Sequence, residues 1–426
     1  METSHRLGGV TRGRDPSCWR GTGHRGKAWP RPGAPSLKEA GRLRIPRLTS
    51  HAGRKTTMPN RAALTQQAAC CLGGAALLLS LAGPHASAAS ASGPHSGDVR
   101  VPCDTAALIS AIQTANSRND SRLILTSQCT YHLTTAYAGQ DGLPAITKRI
   151  IVLGNGATIQ RDPSASGPFR ILDVASGGNL EVQKLTVKGG AITGQPEFGA
   201  GIRVQLGGRL KLEHSRVSQN AAERNGGGVA VFGTATINDS ELVNNTATFG
   251  AGLVQFGSTA RTTITKSSVR FNVASFDGGG LEFGEGTAVV RDSHVDDNSA
   301  TSGDGGGGIY SGANLQIIGS TVDRNSAGVT STQPGGGGIF NYGPLFLGDT
   351  SVNNNTATGG AAQGGGVYNQ GGSVTLSNAR ITGNSATVAP GGVWTDTQWV
   401  IRSSRISNNT PTNCQGSPVI PTGCVN

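Results

Sequence analysis

The acidic residues best placed to do chemistry fall in one stretch of the chain: Asp277, Glu282, Asp292, Asp296, Asp297 and Asp304, with Arg270 and His294 close by. A glycoside hydrolase needs two carboxyl groups roughly 5–10 Å apart with unequal proton affinities. A polysaccharide lyase needs carboxylates that hold Ca²⁺ and a basic residue near the sugar. Asp292, Asp296, Asp297 and His294 are therefore the catalytic candidates, and Ca²⁺ enters only with the lyase alternative. The competing account is a ladder of surface ion pairs, which contributes little to stability. No Ser-His-Asp context or His-rich metal spacing is present. The glycine runs are not phosphate loops, because no Lys-Ser/Thr follows them.

A second group is aromatic. Tyr310, Phe340, Tyr368 and Trp394 each stand second after a glycine cluster. If the residue before each points inward, these four point outward, one per repeat. Such a stripe is a platform on which sugar rings stack, or else a column covered by a loop.

Both groups are positioned by a repeat. Glycine clusters recur before an apolar residue at Ile202, Val229, Leu253, Leu281, Ile309, Ile339, Val367 and Val393, and each is followed by apolar-x-apolar-x-x-small-x-apolar-x-x-Asn. The closing asparagines are Asn220, Asn245, Asn272, Asn298, Asn325, Asn355, Asn384 and Asn409, 25 to 30 residues apart. A steady period with a few residues of slack means stacked units whose differences fall in loops. The alternation has period 2, and its apolar residues are short and bounded by Gly, Asn and Ser. That predicts an all-β parallel β-helix of about ten coils, three short strands and three turns to each, over residues 142–410. The asparagines are expected to form turns, tolerating the left-handed backbone region and bonding one another from coil to coil.

The ends need covers. Asp104 to Asn116 reads as an amphipathic capping helix with Asp104 at its N-cap and Leu108, Ile109, Ile112 and Ala115 on one face. It lies within an N-terminal cap over residues 89–141, and residues 411–426 form a Pro-rich C-terminal cap. Cys103, Cys129, Cys414 and Cys424 allow three pairings. Nearness in sequence favours Cys103–Cys129 and Cys414–Cys424, with a zinc site as the alternative.

The net charge of +11 is concentrated in residues 1–57, which hold 13 Lys/Arg against three acidic residues. From Ala89 onward there are 22 of each sign, so the body lacks the basic footprint of a nucleic-acid partner. Residues 1–57 read as a disordered basic leader or a mis-assigned start. Residues 58–88 read as a secretory signal, with Arg61 before the apolar Ala68–Ala82 and Ala86-Ser87-Ala88 at the cleavage position. The mature product is expected to be secreted, with disulfides and no membrane span.

Val101-Pro-Cys-Asp-Thr-Ala-Ala-Leu, Cys129-Thr-Tyr and the Gly-Gly-Gly-Ile/Val turns resemble the N-terminal cap and coils of secreted right-handed parallel β-helix repeat proteins of the pectin-lyase-like superfamily. The repeats are also similar to those of polymorphic outer-membrane proteins, with Val, Leu or Ile in place of the Phe of Phe-x-x-Asn. The likeness spans roughly residues 100–426. It implies the β-helix fold, with polysaccharide lyase or hydrolase chemistry as the superfamily's enzymatic alternative. Of the polygalacturonase motifs only Asp296-Asp297 is present, so no catalytic role carries over. The leading expectation is a non-catalytic extracellular protein that binds a glycan or another surface partner through Tyr310, Phe340, Tyr368 and Trp394. A structural or adhesive rod is the second alternative.

Overall fold

The structure, a computed structural model, describes residues 98–194, 198–329 and 335–426. The leader and signal expected over 1–88 lie outside the described residues, which belong to one compact unit, Ser87–Asn426. This unit is a parallel β-solenoid of about eleven turns.

Each regular coil uses the repeat in the same way. A three-residue strand such as Ile202–Val204 follows the glycines and forms the glycine face. A long face follows, in two limbs, as in Arg209–Glu213 and Arg216–Ser218. A short strand such as Ser299–Ala300 forms the alanine face, and the next glycine cluster returns the chain. Every ladder between successive coils is parallel, and the register is unbroken, as in Leu315↔Leu345 and Ile317↔Leu347, except for shifts between Leu153 and Ala157 and between Ala247 and Phe249. Period-2 alternation therefore stacks one apolar column above another. Ile202, Val229, Leu253, Leu281, Ile309, Ile339, Val367 and Val393 are all fully buried.

Two corners bend the long face. At the first, a left-handed residue such as Asp239 (φ 44°) or Asp292 (φ 48°) precedes a buried serine whose hydroxyl accepts from the serine N–H of the coil before. Ser215 N donates to Ser240 Oγ at 3.0 Å, and Ser267 N to Ser293 Oγ at 3.0 Å. At the second corner the left-handed residue is not the repeat asparagine but the one before it, such as Asn244, Asp297 or Asn354. The asparagine itself turns inward. Its amide accepts from the backbone N–H and side chain of the preceding asparagine and donates to the following one, as in Asn245 Nδ2 to Asn272 Oδ1 at 3.0 Å. A corner that faces no water must satisfy its own backbone groups, and this amide column does so.

The helix spans Thr105–Asn116, capped by Asp104, whose carboxylate accepts from Ala107 N at 2.7 Å. Its buried face is Leu108, Ala111, Ile112 and Ala115, so Ala111 replaces the expected Ile109. The residues assigned to the N-terminal cap also contribute strands Asp98–Val101, Ser121–Leu125 and Thr130–Leu133 to the stack. This is why about eleven turns form where the sequence repeat counts about ten. Cys103 is bonded to Cys129, and Cys414 to Cys424.

Candidate functional site

On the glycine face, the side chains pointing away from the core run in register from coil to coil. The column is Asp173, Arg203, Ala230, Val254, Glu282, Tyr310, Phe340, Tyr368 and Trp394. It is not an open surface. Glycine-rich segments fold back across it: a Cβ at Gly250 (φ +55°) or Gly278 (φ +62°) would lie 3.0 or 2.9 Å from Glu282 Cβ. Only glycine allows this combination of left-handed backbone and close approach.

The four aromatic residues stack on one another. Ring centroids are 4.9 Å apart for Tyr310 and Phe340, 5.1 Å for Phe340 and Tyr368, and 4.1 Å for Tyr368 and Trp394, all within 15° of parallel. Phe340 and Tyr368 are buried, whereas Tyr310 and Trp394 are half-buried. The two inner rings therefore spend both faces on their neighbours. What a sugar could meet is the edge of the stack and its half-buried ends. Tyr342 packs edge-on against Tyr310 at 5.6 Å. Burial pushes the Tyr310 and Tyr368 hydroxyls far above the ordinary tyrosine range, with the negative charge of Asp277 adding to the effect at Tyr310.

The acidic stretch divides between two faces. Asp277 and Glu282 lie beneath the glycine segments, 5% and 7% exposed. One Asp277 oxygen accepts from Asp304 N at 2.9 Å and Gly305 N at 3.0 Å, which pins the returning loop. Burial first, and then the charge of Asp304, push the Asp277 carboxyl up to about 7. Glu282 is raised for the same reasons, burial and the charge of Asp277, and its Oε2 has no hydrogen-bond partner.

Asp292, His294, Asp296 and Asp297 instead lie on the long face. Asp292 and Asp297 are the left-handed residues at the two corners of a single coil. Asp297 is held by Arg324 through Nε and Nη2, both at 2.9 Å. Asp296 accepts from Thr321 Oγ1 at 3.2 Å, and burial raises its carboxyl against the opposing charge of His294. His294 is exposed, 2.8 Å from Thr321 Oγ1. Register aligns Arg270, Asp296 and Asp323 in one column. Apart from Asp292, the side chain of each of these groups is bonded to the coil above or below.

Two arrangements escaped the sequence reading. Inside the glycine-face corner, Asn341 Nδ2 donates to Asn369 Oδ1 at 2.7 Å, and Asn369 Nδ2 to Thr395 Oγ1 at 3.1 Å. The signal was present, since Asn341, Asn369 and Thr395 each stand one place after the aromatic column. At the other end of the column Arg170, 1% exposed, donates to Asp141 and to the carbonyls of Phe198 and Gly199. Arg203 Nε meets Asp173 Oδ1 at 2.7 Å. Among the described residues no group of three or more His, Cys, Asp or Glu side chains is placed to hold a metal, and no helix is long and apolar enough to cross a membrane.

Stacked coils, asparagine corners and a covered outward column define the chain as a parallel β-solenoid. Comparison with protein-family models, curated proteins and solved structures finds no match to it.

Proposed function

We propose that this chain is a secreted, non-catalytic β-helix of pectin-lyase-like architecture that binds a glycan on its flank. The observation that carries the reading is the separation of the carboxyl groups. Asp277 and Glu282 are buried under loops, while Asp292, Asp296 and Asp297 serve corners and cross-coil bonds on another face. A hydrolase or lyase needs its carboxyl groups converging on one accessible bond. The two disulfides are compatible with export to an oxidising compartment.

The test incubates the full chain with acidic and neutral polysaccharides, with and without Ca²⁺, and measures retention and products together. The reading expects retention on at least one glycan, no new reducing ends and no unsaturated products. Turnover of any of them overturns it in favour of the polysaccharide lyase or hydrolase alternative. The one observation on that side is the near-neutral Asp277 beside Glu282 and Tyr310. Retention on no glycan leaves the structural rod.

A further inference from the structure

We infer that the last coils carry an anion-binding groove built on Arg380 and Arg405, and that the glycan bound by this chain is an acidic one. The inference rests on the glycan-binding reading and names its ligand class.

The second limb of the long face gives one outward position per coil to Arg216, Glu241, Ser268, His294, Thr321, Ser351, Arg380 and Arg405. At the start of this column the charges alternate, and Glu241 binds Arg216 and Arg270. At its end Arg380 stands directly over Arg405 in the ladder. Strands of a sheet are about 4.8 Å apart, and like charges in facing positions repel. Both arginines are exposed, and neither has an ion-pair partner among the described residues. Arg402, also exposed and without an ion-pair partner, precedes Ser403 at the neighbouring corner. From Ser351 to Asn426 the chain has these three arginines and a single acidic residue, Asp396, which accepts from Gly371 N at 2.6 Å.

The pair lines a groove of about 460 Å³ with Thr382, Ser403, Ser407 and Asn408. A larger groove, about 810 Å³, lies near the other end of the solenoid and also contains arginines. There two of the three arginines are neutralised from within, Arg149 by Asp120 at 2.9 Å and Arg122 by Asp98 at 3.6 Å, which leaves Arg118. The C-terminal groove has no such acid, and its two arginines stand on adjacent strands among hydroxyls. A sulfate or carboxylate on a polymer supplies the missing charge, and its oxygens match the planar donors of arginine. Successive charged sugars then follow the flank.

The experiment measures binding of dextran sulfate, polygalacturonate and uncharged dextran to the full chain, to Arg380→Gln/Arg405→Gln and to Arg216→Gln. The expected result is that acidic polymers bind better than dextran and weaken as salt rises. The double variant should bind them about tenfold less tightly, with Arg216→Gln unchanged. Its melting temperature should not fall, because the substitution removes a repulsion. The sulfated and carboxylated arms tell which oxyanion is preferred. Equal binding by the double variant, or no preference over dextran, overturns the groove while leaving glycan binding intact. Binding of no polymer here and of no glycan on a wider panel overturns the broader reading as well.

Discussion

Asn354 and Asn355 are neighbours in the chain, yet the structure gives them opposite roles, and alanine at each should separate them. Asn355 is fully buried. Its Nδ2 donates to Val322 O and Asn384 Oδ1, both at 2.9 Å, while its Oδ1 accepts from Asn325 N at 2.9 Å and Asn325 Nδ2 at 3.0 Å. At about 1 kcal/mol net for each bond, and with buried partners left unsatisfied, Asn355→Ala should cost about 4 kcal/mol. Asn354 is exposed with φ 53°. Alanine there meets only the left-handed backbone penalty, about 1 kcal/mol, with little for the exposed bond from its Nδ2 to Asp323. Urea denaturation followed by circular dichroism reads both. A cost at Asn355 no larger than at Asn354 would refute the claim that the amide column holds the corner. The same substitution at Asn409, where the column ends on Asn413 and is less buried, should cost less than at Asn355.

Three further outcomes follow from the same geometry. The Asp277 carboxyl is raised from its ordinary 3.8 to about 7, so between those values the folded chain holds a proton that the unfolded chain has released. That contribution to stability is present at pH 4 and lost as pH rises to 7. Asp277→Asn should therefore match the wild type near pH 4 and exceed it at pH 8 by on the order of 3–4 kcal/mol, and denaturation midpoints that do not diverge with pH would contradict this. Phe340→Ala removes the middle of the aromatic stack and should cost about 3–5 kcal/mol by thermal denaturation, whereas a loss below about 1 kcal/mol would mean the stack is not packed. Gly279→Ala places a Cβ 2.3 Å from Gly307 O and 2.5 Å from Ser299 O, so it should lower the melting temperature sharply, and an unchanged melt would show that the glycine segment does not lie against the next coil.

The coil plan was legible because its signal is periodic. One apolar residue after each glycine cluster and one asparagine per repeat suffice to place the inward columns and one corner. The left-handed residue was misplaced by one position, since Asn is a common choice both for that backbone region and for a buried amide ladder. Parity also placed Tyr310, Phe340, Tyr368 and Trp394 in one outward column. It could not show that the rings stack on each other, because covering a face depends on how glycine segments fold back between distant residues. The acidic stretch divides between faces for a related reason. Residues within one repeat occupy different faces of a coil, so Glu282 and Asp296 are close in sequence and lie on separate surfaces. The arginine pair was invisible to composition, because the body as a whole is neutral and only register brings Arg380 over Arg405.

The central claim is that this solenoid binds a glycan without turning it over. Size-exclusion analysis of polygalacturonate mixed with the full chain, with and without Ca²⁺, tests it most directly. The account predicts polymer that co-elutes with the protein and keeps its original length. Polymer shortened in the protein's presence would contradict it, as would elution as though the protein were absent for polygalacturonate and for every other glycan of the panel.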